Sequence, residues 1–436
     1  MSPTRPTSGA SLPEWLSYLE TLHPSAIEMG LGRTLEVASR LALATPAIKI
    51  IVGGTNGKGS TCAMLESIYL AAGYRVGLYT SPHLINFNER ARINGEIVSD
   101  ATFVEHFEVV DCARKDVSLT YFEFTTLAVL NMFAGSSLDV MILEVGLGGR
   151  LDAVNIVDAD CSIITSVDID HTDWLGDTRE LIGFEKAHIF RAHKPAICSD
   201  PSPPASLIDY AREIGADLWL FSRDFNYSGD RQQWAFAGRN HRRRAMAYPA
   251  LRGANQLLNA SAALAAIEAL REQLAVPQQA VRQGLMNVSL PGRFQILPGQ
   301  PTVILDVAHN PQAAAVLEKN LGNMGFHPYT YAVFGMLSDK DIQTVVQHLA
   351  GRIDHWFCAS LPGPRGLSAE ALSSKIQDAV ATLTPPLDDP LSISRFDTVE
   401  QAYLAAHERA NPDDRIVVFG SFLTVAGVLD ALNRKH

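Results

Sequence analysis

The sequence predicts an α/β fold of parallel strands joined by helices. Three observations carry that reading. A β-branched run, Lys49-Ile50-Ile51-Val52, ends in a glycine loop at residues 53–60, and a helical pattern follows directly. The rhythm of apolar run, turn and amphipathic stretch then repeats along the chain, as βαβ units do. The apolar runs are nearly continuous, as strands covered on both faces require.

The elements follow in order. The first dozen residues are polar and rich in Pro and Ser, a loose lead-in. Leu12-Pro13-Glu14-Trp15 opens a helix reaching Leu22, with proline near the start where its missing N–H costs little. After the glycine loop, 61–72 reads as a helix closed by Gly73, and 75–79 as the next strand. LDVMILEV (138–145) and CSIITSV (161–167) are further strands, and GANQLLNASAALAA (253–266) is an alanine-rich helix whose polar residues face ligand or water. Pro291-Gly292 marks a joint. Beyond it a second α/β series has strands at 302–306, 331–335, 356–359 and 415–420 and a helix opened by Pro311. The expected domains are therefore 1–290 and a smaller 291–436. LTPPLDDPLS (383–392) reads as a surface loop.

Composition excludes several classes. An apolar fraction of 47% supplies a large core and rules out overall disorder. A net charge of −11 argues against a nucleic-acid coat. It leaves a nucleotide pocket open, because a few cations and backbone N–H groups suffice there. The five cysteines are scattered with no Cys-x-x-Cys, which fits a reducing compartment. No apolar leader or long apolar run is visible, so a cytoplasmic chain without membrane or nucleic-acid partners is expected.

The strongest chemical signal is the glycine loop. Glycines let the backbone curl until several N–H groups aim at one phosphate chain, and the following helix presents its positive end. Lys58 can reach β- and γ-phosphates, and Ser60 or Thr61 a magnesium ion. Gly59 between Lys58 and Ser60 departs from the common P-loop spelling. Acids and histidines also gather at strand ends, where open α/β sheets bind ligands. Ser81, Glu144 and His171 can furnish part of a hard-cation shell, or simply make ordinary polar contacts. From the residues alone Lys186 reads as one cation on an amphipathic helix. Arg293 and the Asp306-Val307-Ala308-His309 segment read either as structural or as phosphate-side groups.

Taken together, GGTNGKGST (53–61), TSPHLINFNERARING (80–95), TYFEFTTLAVL (120–130), LEVGLGGRLDAVN (143–155), DIDHTDWLG (168–176), EKAHIFR (185–191), PGRF (291–294), DVAHNP (306–311) and VVFGSFLT (417–424) resemble the folylpolyglutamate synthase/dihydrofolate synthase family of the Mur ligase superfamily. The resemblance implies a P-loop-containing Mur-ligase-like central domain and a smaller C-terminal Rossmann-like α/β domain that completes the nucleotide and glutamate site. The glycine loop begins at residue 53 with only a helical lead-in, which favours the folate branch over the cell-wall branch. Gly32, where many relatives carry a side chain, is a minor departure.

What the resemblance implies is residue-specific. Gly57, Lys58, Gly59, Ser60 and Thr61 would hold the ATP phosphates. Ser60, Ser81, Glu144, His171 and a carbamylated Lys186 would hold Mg²⁺, with K⁺ as an optional further ion. Asn255, Arg293, Asp306 and His309 would meet the nucleotide. Ile27, Glu28, Met29, Gly30, Thr120, Tyr121, Phe122, Glu123, Leu151, Asp152 and Ala153 would line a pteroate pocket. Lys58, Glu144, His171, Lys186 and Arg293 would be catalytic. The implied reaction joins L-glutamate to dihydropteroate and to reduced folates through an acyl phosphate, in a monomer. The alternatives are polyglutamate extension alone, another Mur-type amide ligase, or a nucleotide-binding protein without catalysis.

Overall fold

The computed structural model describes residues 5–7, 9–230, 232–386 and 391–434. They form two units, residues 1–250 with 257–288 and residues 251–256 with 289–436. The short 251–256 stretch, inside the first domain by sequence, groups with the C-terminal unit.

The first unit is built on eight strands: β1 (Ile48–Gly53), β2 (Val76–Tyr79), β3 (Ala91–Ile93), β4 (Glu96–Ile97), β5 (Val140–Glu144), β6 (Cys161–Ile164), β7 (Pro195–Cys198) and β8 (Asp217–Leu220). Their order is β4-β3-β2-β5-β1-β6-β7-β8. All neighbours from β2 to β8 run parallel, and β3 and β4 add an antiparallel edge. β5 is buried at every residue, as its unbroken apolar run predicts. Val52 lies opposite Glu144, and Gly53 opposite Ile164. Parallel pairing thus delivers the glycine loop, Glu144 and the segment after β6 to one end of the sheet.

Several helices match the sequence pattern. The lead-in helix runs Leu12–Thr21, with Leu22 as its cap. The Glu14 carboxylate accepts from the Ser11 N–H and hydroxyl, both at 2.7 Å. The helix after the glycine loop spans Lys58–Ala71. The alanine-rich helix spans Gln256–Ala269, so Asn255 stands in the turn before it and not on it.

The β3–β4 hairpin has no long apolar run to betray it. Its signal is Asn94-Gly95, whose φ angles of 54° and 84° make the turn. Three further antiparallel strands, β9 (Asn226–Gly229), β10 (Trp234–Ala237) and β11 (Arg242–Met246), form a small separate sheet.

The second unit holds β12 (Gln295–Leu297), β13 (Thr302–Leu305), β14 (Thr330–Phe334), β15 (His355–Ala359), β16 (Ser392–Phe396) and β17 (Arg415–Phe419), in the order β12-β13-β17-β14-β15-β16. Only β12 is antiparallel. Its core includes Ile304, Phe334, Trp356, Val417 and Phe419, all fully buried. The 383–392 loop ends sooner than expected, because Ser392 already begins β16. Its residues 387–390 lie outside the described residues.

Candidate active site

Two positions of the loop after β1 admit only glycine. Gly54 has φ +143°, and a Cβ there would lie 1.9 Å from Thr165 Oγ1. Gly57 has φ +89°, and a Cβ would lie 2.5 Å from Asn259 Oδ1. Lys58 is the first helical residue, and its Nζ donates to the carbonyls of Gly54 and Thr55 at 3.0 and 3.2 Å. The loop is fastened to the segment after β6. Thr55 N–H donates to Ser166 O at 2.7 Å, and Thr165 Oγ1 donates to Asn56 O at 2.7 Å. Ser60 and Thr61 are buried in the first turn. Thr61 Oγ1 is buried without a hydrogen-bond partner among the described residues. A curled loop, a helix N-terminus and an unsatisfied hydroxyl together suit a phosphate chain and its cation.

Glu144 ends β5 and Ser81 follows the neighbouring β2 by two residues, and Ser81 N–H donates to Glu144 Oε2 at 3.1 Å. His171 has φ 54° at the start of the short helix Thr172–Leu175, with Nε2 3.9 Å from Asp170 Oδ2. Lys186 corrects the residue-level reading of a solvated cation, because it is only 4% exposed. Burial brings its pKa down to about 7. The nearby charge of Lys58 pushes the same way, against Asp170 and Asp152. Its helix is locked to the GLGG turn. Arg150 N–H donates to Glu185 O at 2.9 Å, and the two side chains form an ion pair. Among the described residues no group of three or more His, Cys, Asp and Glu side chains is gathered for a metal. Glu144 with serine hydroxyls fits Mg²⁺ nonetheless, since that ion takes one or two carboxylates and completes its shell from phosphates and water.

The expected pteroate residues occupy several adjoining segments. Phe122 stacks on Tyr79 with centroids 6.2 Å apart. Its ring lies so close to Gly146 that a Cβ there would be 2.5 Å away. Met29 and Leu175 both approach Gly148. Asp152 is buried, accepts from the N–H groups of Leu147 and Val154 at 2.8 and 2.9 Å, and is pushed up to about 6 by desolvation. Leu151 is half-buried and Ala153 buried beside it. Thr120 and Glu123 cap the helix Tyr121–Gly135 reciprocally. Glu123 also accepts from Arg33 at 2.9 Å and Thr34 Oγ1 at 3.2 Å. Tyr121 lies under the Arg90 guanidinium at 5.6 Å. Ile27, Met29 and Gly30 are half-buried, and Glu28 is more exposed.

In the second unit Asp306 follows β13. Its carboxylate accepts from Phe294 N–H at 3.0 Å and Ala308 N–H at 2.8 Å. Desolvation raises its pKa to about 6, with the Arg293 charge opposing. The Arg293 guanidinium lies 5.1 Å from the Phe422 ring centroid, and His309 lies 6.1 Å from the same ring. His309 Nδ1–H donates to Val307 O at 2.7 Å. Asn255 is exposed in its turn.

The Mur ligase middle domain model matches residues 52–267, and the Mur ligase glutamate ligase domain model matches residues 292–422. The Escherichia coli dihydrofolate synthase/folylpolyglutamate synthase is 44% identical over 432 residues, covering 99% of this chain and 98% of the relative. The chain belongs to the dihydrofolate synthase/folylpolyglutamate synthase family. Another family member, from Haemophilus influenzae, is 40% identical over 95% of this chain and 96% of its own. Among solved structures, E. coli FolC in complex with DHPP and ADP superposes with a TM-score of 0.92 at 44% identity, over 99% of this chain and 100% of that one. A bifunctional synthase with Mn, AMPPNP and L-glutamate bound gives 0.89 at 45% identity, over 99% and 100%.

The structure also places side chains beside the candidate site residues that sequence reasoning passed over. Asn259 stands beside Gly57 of the glycine loop, and its signal was its place among the polar residues of the alanine-rich run. Asp170 balances Lys186, and it stands in the quoted DIDH run. Phe422 gathers Arg293 and His309, and nothing in VVFGSFLT marked it.

Proposed function

We propose that this chain ligates L-glutamate to dihydropteroate, giving dihydrofolate, and to reduced folates, giving folylpolyglutamates, while ATP becomes ADP and phosphate. The observation that carries this reading is the overlap along almost the whole chain, at 44% identity, with a structure that holds DHPP and ADP.

A carboxylate is a poor acyl donor because oxide is a poor leaving group. Transfer of the γ-phosphoryl group to it gives an acyl phosphate, which the glutamate amine then attacks with loss of phosphate. The N–H groups of the glycine loop and of the helix start, with Lys58, would hold the phosphates and offset charge on the moving group. Arg293 is assigned to the same phosphates, and Asn255, Asp306 and His309 to the nucleotide. Ser60, Ser81, Glu144, His171 and Lys186 would hold Mg²⁺, which when bound shields repulsion between carboxylate and triphosphate. Lys186 is assigned as a carbamate, because a buried amine with a depressed pKa offers the neutral nucleophile that CO₂ requires. Residues 27–30, Thr120 to Glu123 and Leu151 to Ala153 are assigned to the pteroate side, with Phe122 the flat-ring partner. K⁺ as a further ion, a monomeric state, a cytoplasmic setting and a division of domains at residue 290 belong to the same proposal. Among the described residues no helix is long and apolar enough to cross a membrane.

Dihydropteroate labelled with ¹⁸O in its carboxylate tests the acyl phosphate. One label appears in the released phosphate if the carboxylate is phosphorylated. Label-free phosphate with amide product would rule that route out.

A further inference from the structure

The loop from His23 to Leu31 carries Met29 to Gly148, yet it has no helix or strand of its own. Side chains hold it instead. His23 is 7% exposed at its side chain and bonds at both ring nitrogens. Its Nδ1 lies 2.6 Å from Ser118 Oγ and its Nε2 2.8 Å from Glu28 Oε2. The other Glu28 oxygen pairs with Arg33, whose Nη2 also donates to Glu28 O at 3.2 Å. The same Nη2 donates to Glu123 Oε1 at 2.9 Å. Glu123 in turn accepts from Thr120 N–H at 2.8 Å and caps the helix that bears Phe122.

We infer that His23, Glu28, Arg33 and Glu123 form a clamp that fixes the Met29 loop against the Phe122 helix, and that His23 is a positioning residue for the pteroyl substrate. The inference rests on the folate reading of this site. It gives Glu28 and Glu123 a different task from direct contact with pteroate. Their carboxylates are engaged with His23, Arg33, Thr34 and Thr120, and they set the spacing of two walls.

Ser118 Oγ also donates to Leu22 O at 3.2 Å, which ties the His23 ring to the end of the lead-in helix. The charged groups around the clamp are Glu28 on the loop, Arg33 on the helix Gly32–Ala38, and Glu123 on the helix Tyr121–Gly135.

The test is steady-state kinetics of the full chain with His23→Gln and, as a milder change, Ser118→Ala. For His23→Gln the KM for dihydropteroate rises about tenfold, the worth of one charge-assisted hydrogen bond. Its kcat and its KM for ATP stay within about twofold, and Ser118→Ala shifts the same KM in the same direction by less. An unchanged KM in both variants, or a parallel fall in kcat and ATP affinity, would overturn the clamp while leaving the folate reading intact. Failure of the unmodified protein to turn over any pteroyl substrate would overturn both.

Discussion

Lys186 shows most clearly what a single residue gains from its surroundings. Its sequence context, one basic residue in a short amphipathic helix, describes a solvated cation equally well. Burial beside Lys58, Asp152 and Asp170 is a tertiary fact that helical period does not contain. If the side chain is a carbamate, protein equilibrated with ¹³CO₂ shows a carbamate carbon resonance that Lys186→Arg lacks. The same variant loses ligase turnover by about a hundredfold or more, as when a charge-stabilising group is removed. A spectrum identical in both proteins would remove the carbamate from the account. Gly57 is the opposite case, legible from the start. Its φ of +89° and its contact with Asn259 leave no room for a side chain. Gly57→Ala is expected to weaken ATP binding by about tenfold or more by titration calorimetry, through strain in the left-handed region.

At the scale of elements, the central parallel strands such as β1, β5, β6, β13, β14 and β17 were readable because they are apolar runs, whereas the parallel β7, β8 and β16 went uncalled, since they are short or only partly buried. The hairpin of β3 and β4 and the sheet of β9 to β11 were not readable either, since their strands are short, most of them are polar, and the apolar β10 is only four residues long. Asp306 belongs to this scale, because it ties the turn before β12 to the turn after β13. Desolvation raises its pKa from 3.8 to about 6. A group raised in this way contributes stability that is complete below the unfolded value and is lost as pH climbs through the folded one. The urea stability of Asp306→Asn relative to the parent should therefore improve as pH rises from about 4 to about 7. A difference independent of pH would show that Asp306 does not titrate in that window.

For the whole molecule, the order of motifs along the chain carried more than any one of them. A glycine loop alone names a phosphate site. Nine segments in order named a family, and both domain models match. The C-terminal groups illustrate the limit of such reading. PGRF and DVAHNP are separate in sequence, and only the pairing of β12 with β13 makes Arg293 and Asp306 neighbours. Chelation of divalent metal is expected to abolish ligation and Mg²⁺ to restore it, followed as ADP release. Full activity in chelator would remove the metal assignments of Ser60, Ser81, Glu144, His171 and Lys186.

The most direct test is mass analysis of products made by the purified chain from Mg·ATP and L-glutamate, with dihydropteroate in one reaction and tetrahydrofolate in the other. The account predicts a gain of one glutamate residue on dihydropteroate and of one or more on tetrahydrofolate, each with equimolar phosphate. Extension of tetrahydrofolate alone would contradict the two-substrate claim, and no gain on either would contradict the function itself.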